Sequence, residues 1–360
     1  MAQNRSVTFV SRKWPPAMGG METYSLKLCQ ALDAHLQVHR LVLPGRADGS
    51  VPSAGALLAW GLRTGLGVLT ARKPTAILHV ADVAIWPLAL MAVMRSRRCQ
   101  VLISAHGTDI AYGLRGGLRG RGYSVYVRLG ARLLRRACLV ANSAATAQRA
   151  ARLGFRDIRV VPLAAEVSPP VSAERSGRLL FSGRLVERKG LSWFVRNVLP
   201  ELPAEIGLDV AGTIWNAAEA RALTDPRVRF LGHLQHAALM RAYAGALCVV
   251  VPNLVMPNGE YEGFGLVAVE GAAAGGLVLA AAEGGLTDAV MDGQTGFLLP
   301  PGDAASWLRK IHEILTWSEE TRAGFVAEAR SLAQRHYSWD RVARDMAALY
   351  GGLAPEGSAP

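Results

Sequence analysis

Short uninterrupted apolar runs alternate along the chain with longer stretches in which apolar residues recur every three to four positions. In the first half, runs at 6–10, 38–43, 76–80, 101–105 and 139–141 predict strands. Segments 21–32, 57–71, 85–94, 123–136 and 144–152 predict the helices between them. Runs without polar alternation belong to strands buried on both faces, and their alternation with helices implies α/β architecture with a doubly wound parallel sheet. After a run at 160–163, the segment 167–177 (VSPPVSAERSG) is rich in Pro, Ser and charge and predicts a linker. The pattern then restarts. Strands are expected at 178–182, 206–211, 228–231, 247–251, 277–280 and 296–299, with helices at 191–198, 217–223, 236–243, 265–274 and 304–316. Two domains follow, 1–166 and 178–335, with a frayed tail at 353–360.

Charge divides at the same place. The 360 residues carry a formal net charge of +12. Residues 1–165 hold 23 Lys and Arg against 6 Asp and Glu, a balance of +17, whereas 166–360 hold 17 against 22, a balance of −5. A basic first half implies an anionic partner for that half: a membrane surface, nucleic acid or a phosphorylated ligand. A hydrophobic fraction of 51% excludes a disordered chain. Cys29, Cys99, Cys138 and Cys248 are scattered, which argues against a zinc site or a disulfide framework and fits a reducing cytosol. The longest apolar stretch, 76–94, contains His79, Asp82 and Pro87, so it does not read as a membrane span.

The densest chemistry lies in GEYEGFGLVAVEGAAAG (259–275). Gly263 and Gly265 allow close backbone approach to a ligand, and a helix starting near Phe264 would turn free amides and its positive dipole end toward an anion. Eight residues of helix rise about 12 Å, so Glu262 and Glu270 could hold hydroxyls at two ends of a nucleoside-diphosphate sugar. A helix with a cap or core ion pair at each end is the competing reading. In FSGRLVERKGL (181–191), a strand end is followed by Arg184 and Lys189 at the ligand-facing edge of a parallel sheet. Arg184 offers a planar fork and Lys189 a mobile charge to phosphate oxygens, while Glu187 and Arg188 read as solvated surface. Gly284-Gly285 suggests a further phosphate-approach loop.

In the first half, PPAMGGME (15–22) brings Gly19 and Gly20 to a helix start. AHGTDI (105–110) ends a strand with His106, Thr108 and Asp109 facing the same crevice. Between Asp109 and Asp157 there is no acidic residue. Within 112–136 stand Arg115, Arg119, Arg121, Arg128, Arg132, Arg135 and Arg136, interleaved with apolar and aromatic residues. This is a basic amphipathic helix suited to anionic lipid headgroups, and no nucleic-acid-binding motif accompanies it.

These motifs in this order resemble the GT-B glycosyltransferases, in particular retaining glycosyltransferase family 4. The resemblance covers PPAMGGMETYSLKLCQAL, AHGTD, GRLVERKG, the Glu262/Glu270 motif, GGLTDAVMDGQTGFLLPPGD and HYSWDRVARDMAALY. It implies two Rossmann-like domains facing a deep cleft, with the donor on the C-terminal domain, the acceptor on the N-terminal one, and a final helix at 336–352 crossing back. It also implies residue roles. Arg184 and Lys189 bind the diphosphate, Glu270 the ribose hydroxyls and Glu262 the sugar hydroxyls. Phe264, Gly265 and Leu266 supply backbone amides. His106 and Asp109 lie at the sugar, and Gly19 and Gly20 approach the donor phosphate. Asp288 stands where the family usually has Glu.

The expected reaction moves a sugar, with retention, from a nucleotide-diphosphate sugar to a lipid-linked or glycan acceptor in cell-surface polysaccharide or glycolipid synthesis. It would take place on the cytoplasmic face of the membrane, with the protein held there peripherally. No cofactor and no essential metal are expected, because cations and helix amides would stabilise the leaving diphosphate. An epimerase or phosphorylase on the same fold, or a non-enzymatic protein binding an anionic surface, remains open at this point.

Overall fold

A computed structural model describes residues 6–17, 19–166 and 174–352. Most of the expected linker and the expected tail lie outside the described residues. Two compact units emerge, one comprising Met1–Leu163 with Trp339–Pro360 and the other Ala164–Ser338.

The first unit is a six-stranded parallel sheet. Its strands are β1 (Ser6–Trp14), β2 (Gln37–Pro44), β3 (Ile77–Val80), β4 (Gln100–Ala105), β5 (Cys138–Ala141) and β6 (Asp157–Val160), in the order β2-β1-β3-β4-β5-β6. The second sheet is also parallel. It contains β7 (Leu179–Ser182), β8 (Leu208–Ala211), β9 (Val228–Gly232), β10 (Val249–Val251), β11 (Val278–Ala281) and β12 (Phe297–Leu299), in the order β12-β11-β10-β7-β8-β9. Central strands such as β3, β7 and β10 are buried at every position, as expected of strands covered on both faces.

Helices Ala54–Thr70, Trp86–Arg95 and Gly117–Leu133 carry the chain from β2 to β3, β3 to β4 and β4 to β5. All three connections run the same way across the sheet, so right-handed crossovers place these helices side by side on one face. Trp60, Val68, Trp86, Leu88, Val127 and Ala131 share one buried cluster beneath them. Glycines let the helices approach closely: a Cβ on Gly65 would lie 2.5 Å from the Met91 sulfur, and one on Gly130 would lie 2.7 Å from the Trp86 ring.

The last helix, Trp339–Tyr350, packs on helix Gly20–Leu32 within the first unit. The Tyr350 hydroxyl lies 2.7 Å from His79 Nδ1, and the Ser104 hydroxyl is 2.7 Å from both His79 Nε2 and the Tyr24 hydroxyl. This chain is fully buried, and burial with nearby His106 lowers the His79 pKa to about 3, so the ring is neutral.

Several boundaries differ from those expected. The run at 160–163 is not a strand; the strand is β6, an edge strand whose side chains alternate in exposure. The basic helix begins at Gly117 and ends at Leu133, earlier than expected. Helix Glu319–His336 has no counterpart in the expected set and includes His336, so the final helix starts at Trp339. Among the described residues, no helix is long and apolar enough to cross a membrane.

Candidate functional site

In the second unit the chain leaves β7 through Gly183, whose φ of 145° lies outside the range ordinary residues favour. Arg184 is exposed and stacks its guanidinium over the Trp215 ring at 4.9 Å. Glu187–Lys189 form a single 3-10 turn closed by Gly190, which is left-handed at φ 72°. A Cβ on Gly190 would lie 1.9 Å from the Pro252 carbonyl oxygen, so this turn fits against the segment after β10 with a glycine there.

The turn points Lys189 inward. Lys189 Nζ lies 2.5 Å from Glu262 Oε2, and Arg188 Nη1 donates to the same oxygen at 2.7 Å. Asn253 Nδ2 donates to it at 3.1 Å. Burial alone would raise the Glu262 pKa, but Lys189 and Arg188 outweigh it and hold the carboxyl well below the usual range. Burial lowers the Lys189 pKa, with Glu262 opposing, and Arg184 is close enough to add to the lowering. Two cations, Lys189 and Arg188, pair with one ionised carboxylate, and Arg184 acts on Lys189 from nearby, so positive charge is in excess here. Arg188, expected on solvated surface, is instead one of Glu262's two ion-pair partners; Glu187 is exposed as expected.

The helix below this cluster is Leu266–Ala273, so Glu262 precedes it in a loop and the expected 12 Å helical span to Glu270 does not apply. Gly265, at φ 94°, is its N-cap and has no side chain to accept from the first-turn amides. Phe264 is buried and edges the Tyr337 ring. Gly284 and Gly285 serve packing rather than an open loop. Cβ atoms there would lie 2.6 Å from the Glu262 carbonyl oxygen and 2.3 Å from that of Gly263. The Gly285 amide donates to the Glu262 carbonyl at 2.7 Å, so this segment clamps the backbone of the Glu262 loop.

Glu270 lies one turn into the helix. Burial raises its pKa to about 7; the Tyr243 hydroxyl and Lys189 pull it down, while Glu166 adds to the rise. Tyr243, Asn253 and Arg188 carried no sequence signal, because each reaches the site from a separate segment: helix His236–Gly245, the stretch after β10 and the turn before Gly190.

In the first unit, Asp109 is buried and accepts from the amides of His106 at 2.8 Å, Ile110 at 3.0 Å and Val83 at 3.3 Å. Burial raises its pKa against the lowering effect of His106. His106 Nε2 is 2.8 Å from the Ala81 carbonyl oxygen, which can only accept, so Nε2 carries a proton and donates it. The Tyr24 ring stands edge-on to it, with centroids 4.5 Å apart. Gly19 and Gly20 start the helix that bears Tyr24. A Cβ on Gly19 would lie 2.5 Å from the Glu22 carboxylate, which is buried and paired with Lys13 at 3.2 Å, whereas a Cβ on Gly20 would have nothing within 4 Å.

The described arginines of the basic segment are exposed. Arg119, Arg121, Arg128 and Arg132 lie on helix Gly117–Leu133, and Arg135 and Arg136 follow its end. The side chain of Arg115 lies outside the described set. Val125, Leu129 and Leu133 are exposed among the arginines, while the Tyr126 hydroxyl turns inward to donate to the Ala84 carbonyl at 2.7 Å.

Known proteins are similar to this chain in sequence and in fold. Residues 176–316 match the family model for glycosyl transferases group 1, and residues 18–168 match that for glycosyltransferase family 4. A D-inositol 3-phosphate glycosyltransferase of Salinispora tropica is 35% identical over 154 residues, covering 43% of this chain and 30% of that protein. The chain thus spans under a third of that relative's length. Sucrose-phosphate synthase from Thermosynechococcus elongatus has a similar structure, with a TM-score of 0.73 at 21% identity over 97% of this chain and 98% of that one. Anabaena HepE in complex with UDP-glucose gives a TM-score of 0.71 at 17% identity over 97% and 100%. With the first half matched by the glycosyltransferase family 4 model, the second by the glycosyl transferases group 1 model and the two parallel sheets of the fold in place, the chain belongs to these glycosyltransferases and has the GT-B fold.

Proposed function

We propose that the protein moves a sugar from a nucleotide-diphosphate sugar to a lipid-linked or glycan acceptor, with retention of anomeric configuration. The observation that carries this reading is the pairing of Arg188 and Lys189 with ionised Glu262, with Arg184 close enough to act on Lys189, near the uncapped start of helix Leu266–Ala273. The excess positive charge and the first-turn amides suit a diphosphate, which gains negative charge as the anomeric C–O bond breaks. The UDP-glucose held by Anabaena HepE supports a donor of this class.

In this reading Arg184 and Lys189 neutralise the leaving diphosphate. Phe264, Gly265 and Leu266 offer backbone amides to it, and Glu270 accepts from the ribose hydroxyls. Glu262, ionised by its pairs, accepts from sugar hydroxyls. His106 and Asp109 serve the donor sugar, and Gly19 and Gly20 its phosphate. Attack from the face that the nucleotide leaves would retain configuration through an oxocarbenium-like state. Arg115 and the exposed arginines of 119–136 would hold the protein peripherally on the cytoplasmic face of the membrane, where glycolipid or surface polysaccharide is assembled.

A panel of uridine, guanosine and adenosine diphosphate sugars, read by nucleotide release, tests the assignment. Release from at least one donor is expected, with Arg184→Ala and Lys189→Ala lowering it by orders of magnitude. Absence of both release and binding across the panel, or near-wild-type rates in the variants, would overturn it. Product NMR distinguishes a retained from an inverted anomeric centre.

A further inference from the structure

The helix layer of the first unit carries an apolar ridge that neither the sheet nor the basic segment explains. On helix Ala54–Thr70, Leu58, Leu62 and Leu66 recur at i, i+4 and i+8 and are 65%, 64% and 63% exposed. The opposite side of the same helix is already in the core through Trp60, Thr64 and Val68. A surface helix of 17 residues normally turns charge toward water, yet this one has a single charged residue, Arg63.

The surroundings have one sign of charge. Helices Ala54–Thr70, Trp86–Arg95 and Gly117–Leu133 contain no Asp or Glu. Each is followed within three residues by two basic residues: Arg72 and Lys73, Arg97 and Arg98, Arg135 and Arg136. The three helices run in the same direction, antiparallel to the strands they connect, so these pairs collect along one edge of the layer. A helix dipole accounts for a cation in the last turn; these pairs stand beyond the last turn. At that edge a cavity of about 330 Å3 is lined by Arg97, Arg135 and Arg136 together with Val93, Leu133 and Leu134. Leu133 belongs to both the cavity and the exposed stripe of helix Gly117–Leu133.

We infer that this whole layer is a docking face for an anionic phospholipid bilayer, with Leu58, Leu62 and Leu66 entering the acyl region and Arg97, Arg135 and Arg136 holding a headgroup phosphate. The inference rests on the peripheral membrane reading above and extends it from one basic helix to a three-helix surface with its own insertion ridge. Apolar residues on one helix and arginines at its neighbours' ends match the two layers of a leaflet, acyl chain and phosphate. The glycine contacts that lock the three helices together keep ridge and arginines in fixed register.

The test is co-sedimentation of the full chain with vesicles of phosphatidylcholine alone or with 30 mole per cent phosphatidylglycerol, at low and high salt. Wild type is expected to bind the anionic vesicles at low salt. A variant with Leu58→Gln, Leu62→Gln and Leu66→Gln should bind about a hundredfold more weakly at every salt concentration, since each leucine loses the transfer of its side chain from water. A variant with Arg97→Gln, Arg135→Gln and Arg136→Gln should lose at least tenfold at low salt and show a flatter salt dependence. Nucleotide-sugar binding and circular dichroism unchanged from wild type establish that both variants are folded. Wild type that fails to bind anionic vesicles removes the membrane reading itself. Wild type that binds while the leucine variant binds equally well overturns the ridge alone. A wild-type dimer that the leucine substitutions convert to monomer, with vesicle binding retained, assigns the ridge to a second copy instead.

Discussion

Lys189 and Glu262 form an ion pair at 2.5 Å with side chains 9% and 14% exposed, and their positions in the chain are 73 residues apart. Neither charge is tolerable there alone. Glu262→Ala strands Lys189 in a buried site, and removing one partner of such a pair costs about 3–5 kcal/mol. Urea denaturation should show the loss, and donor KM should rise because the remaining lysine sheds its proton. A wild-type midpoint for Glu262→Ala would show that the pair has no structural role.

Neighbouring Glu187 and Arg188 should behave oppositely, although both read as surface. Arg188→Ala removes a hydrogen-bonded charge from Glu262, an interaction worth about 1.5–3 kcal/mol. Donor affinity should fall roughly tenfold or more by calorimetry. Glu187→Ala, at an exposed position, should change neither stability nor affinity appreciably.

Glu270, with its pKa raised to about 7, should make donor binding pH-dependent. Ribose hydroxyls donate to a carboxylate better than to a carboxylic acid, so affinity should rise from pH 6 to pH 8. The stability contribution has the opposite sign. A raised carboxyl stabilises the fold fully below its unfolded pKa near 4.5, and that contribution is lost as pH climbs through about 7. Glu270→Gln should flatten both profiles; calorimetric titration and denaturation across this range check the two separately.

Gly20 distinguishes a packing glycine from a ligand-facing one. An added Cβ meets nothing within 4 Å, and the residue opens a helix. Gly20→Ala should leave stability unchanged or raise it by up to ~1 kcal/mol. If the donor phosphate approaches this backbone, the same change should weaken donor binding several-fold. Unaltered donor affinity would place the phosphate elsewhere.

His79 should make the first unit acid-sensitive. Its pKa is depressed to about 3, so its contribution is complete above the unfolded value near 6.5 and is lost as pH falls through the folded one. Stability should decline by up to about 1.4 kcal/mol per pH unit across that window. Chemical denaturation of wild type and His79→Gln should show the slope in the former and little of it in the latter.

Much of this was legible in the apolar runs, because strands buried on both faces write themselves as uninterrupted Val, Leu and Ile. The failures have physical causes. Edge strand β6 is half exposed, so the apolar run beside it was the stronger signal. Helix Glu319–His336 buries only Arg322, Ala329 and Ala333, too little apolar surface to give a clear stripe. The glycine-rich start of helix Gly117–Leu133 reads as a loop, yet it is helical, with Gly120 buried. At the site, Arg184, Lys189, Glu262 and Glu270 stand in recognisable spacings. The inward turn of Arg188 does not, because it depends on left-handed Gly190 closing against the segment after β10. Gly284-Gly285 marks a close approach, as glycine pairs do, but the partner is the protein's own backbone.

The first unit is discontinuous: Tyr350 closes the buried chain through His79 and Ser104 to Tyr24, and its helix packs on Gly20–Leu32. During synthesis the first 163 residues therefore leave the ribosome without the helix that completes them. The entire second unit must be translated before that helix emerges, which takes on the order of 10–30 s at about 5–20 residues per second. Over that interval the nascent first unit presents an open flank along helix Gly20–Leu32, and the second unit is the one able to finish folding first.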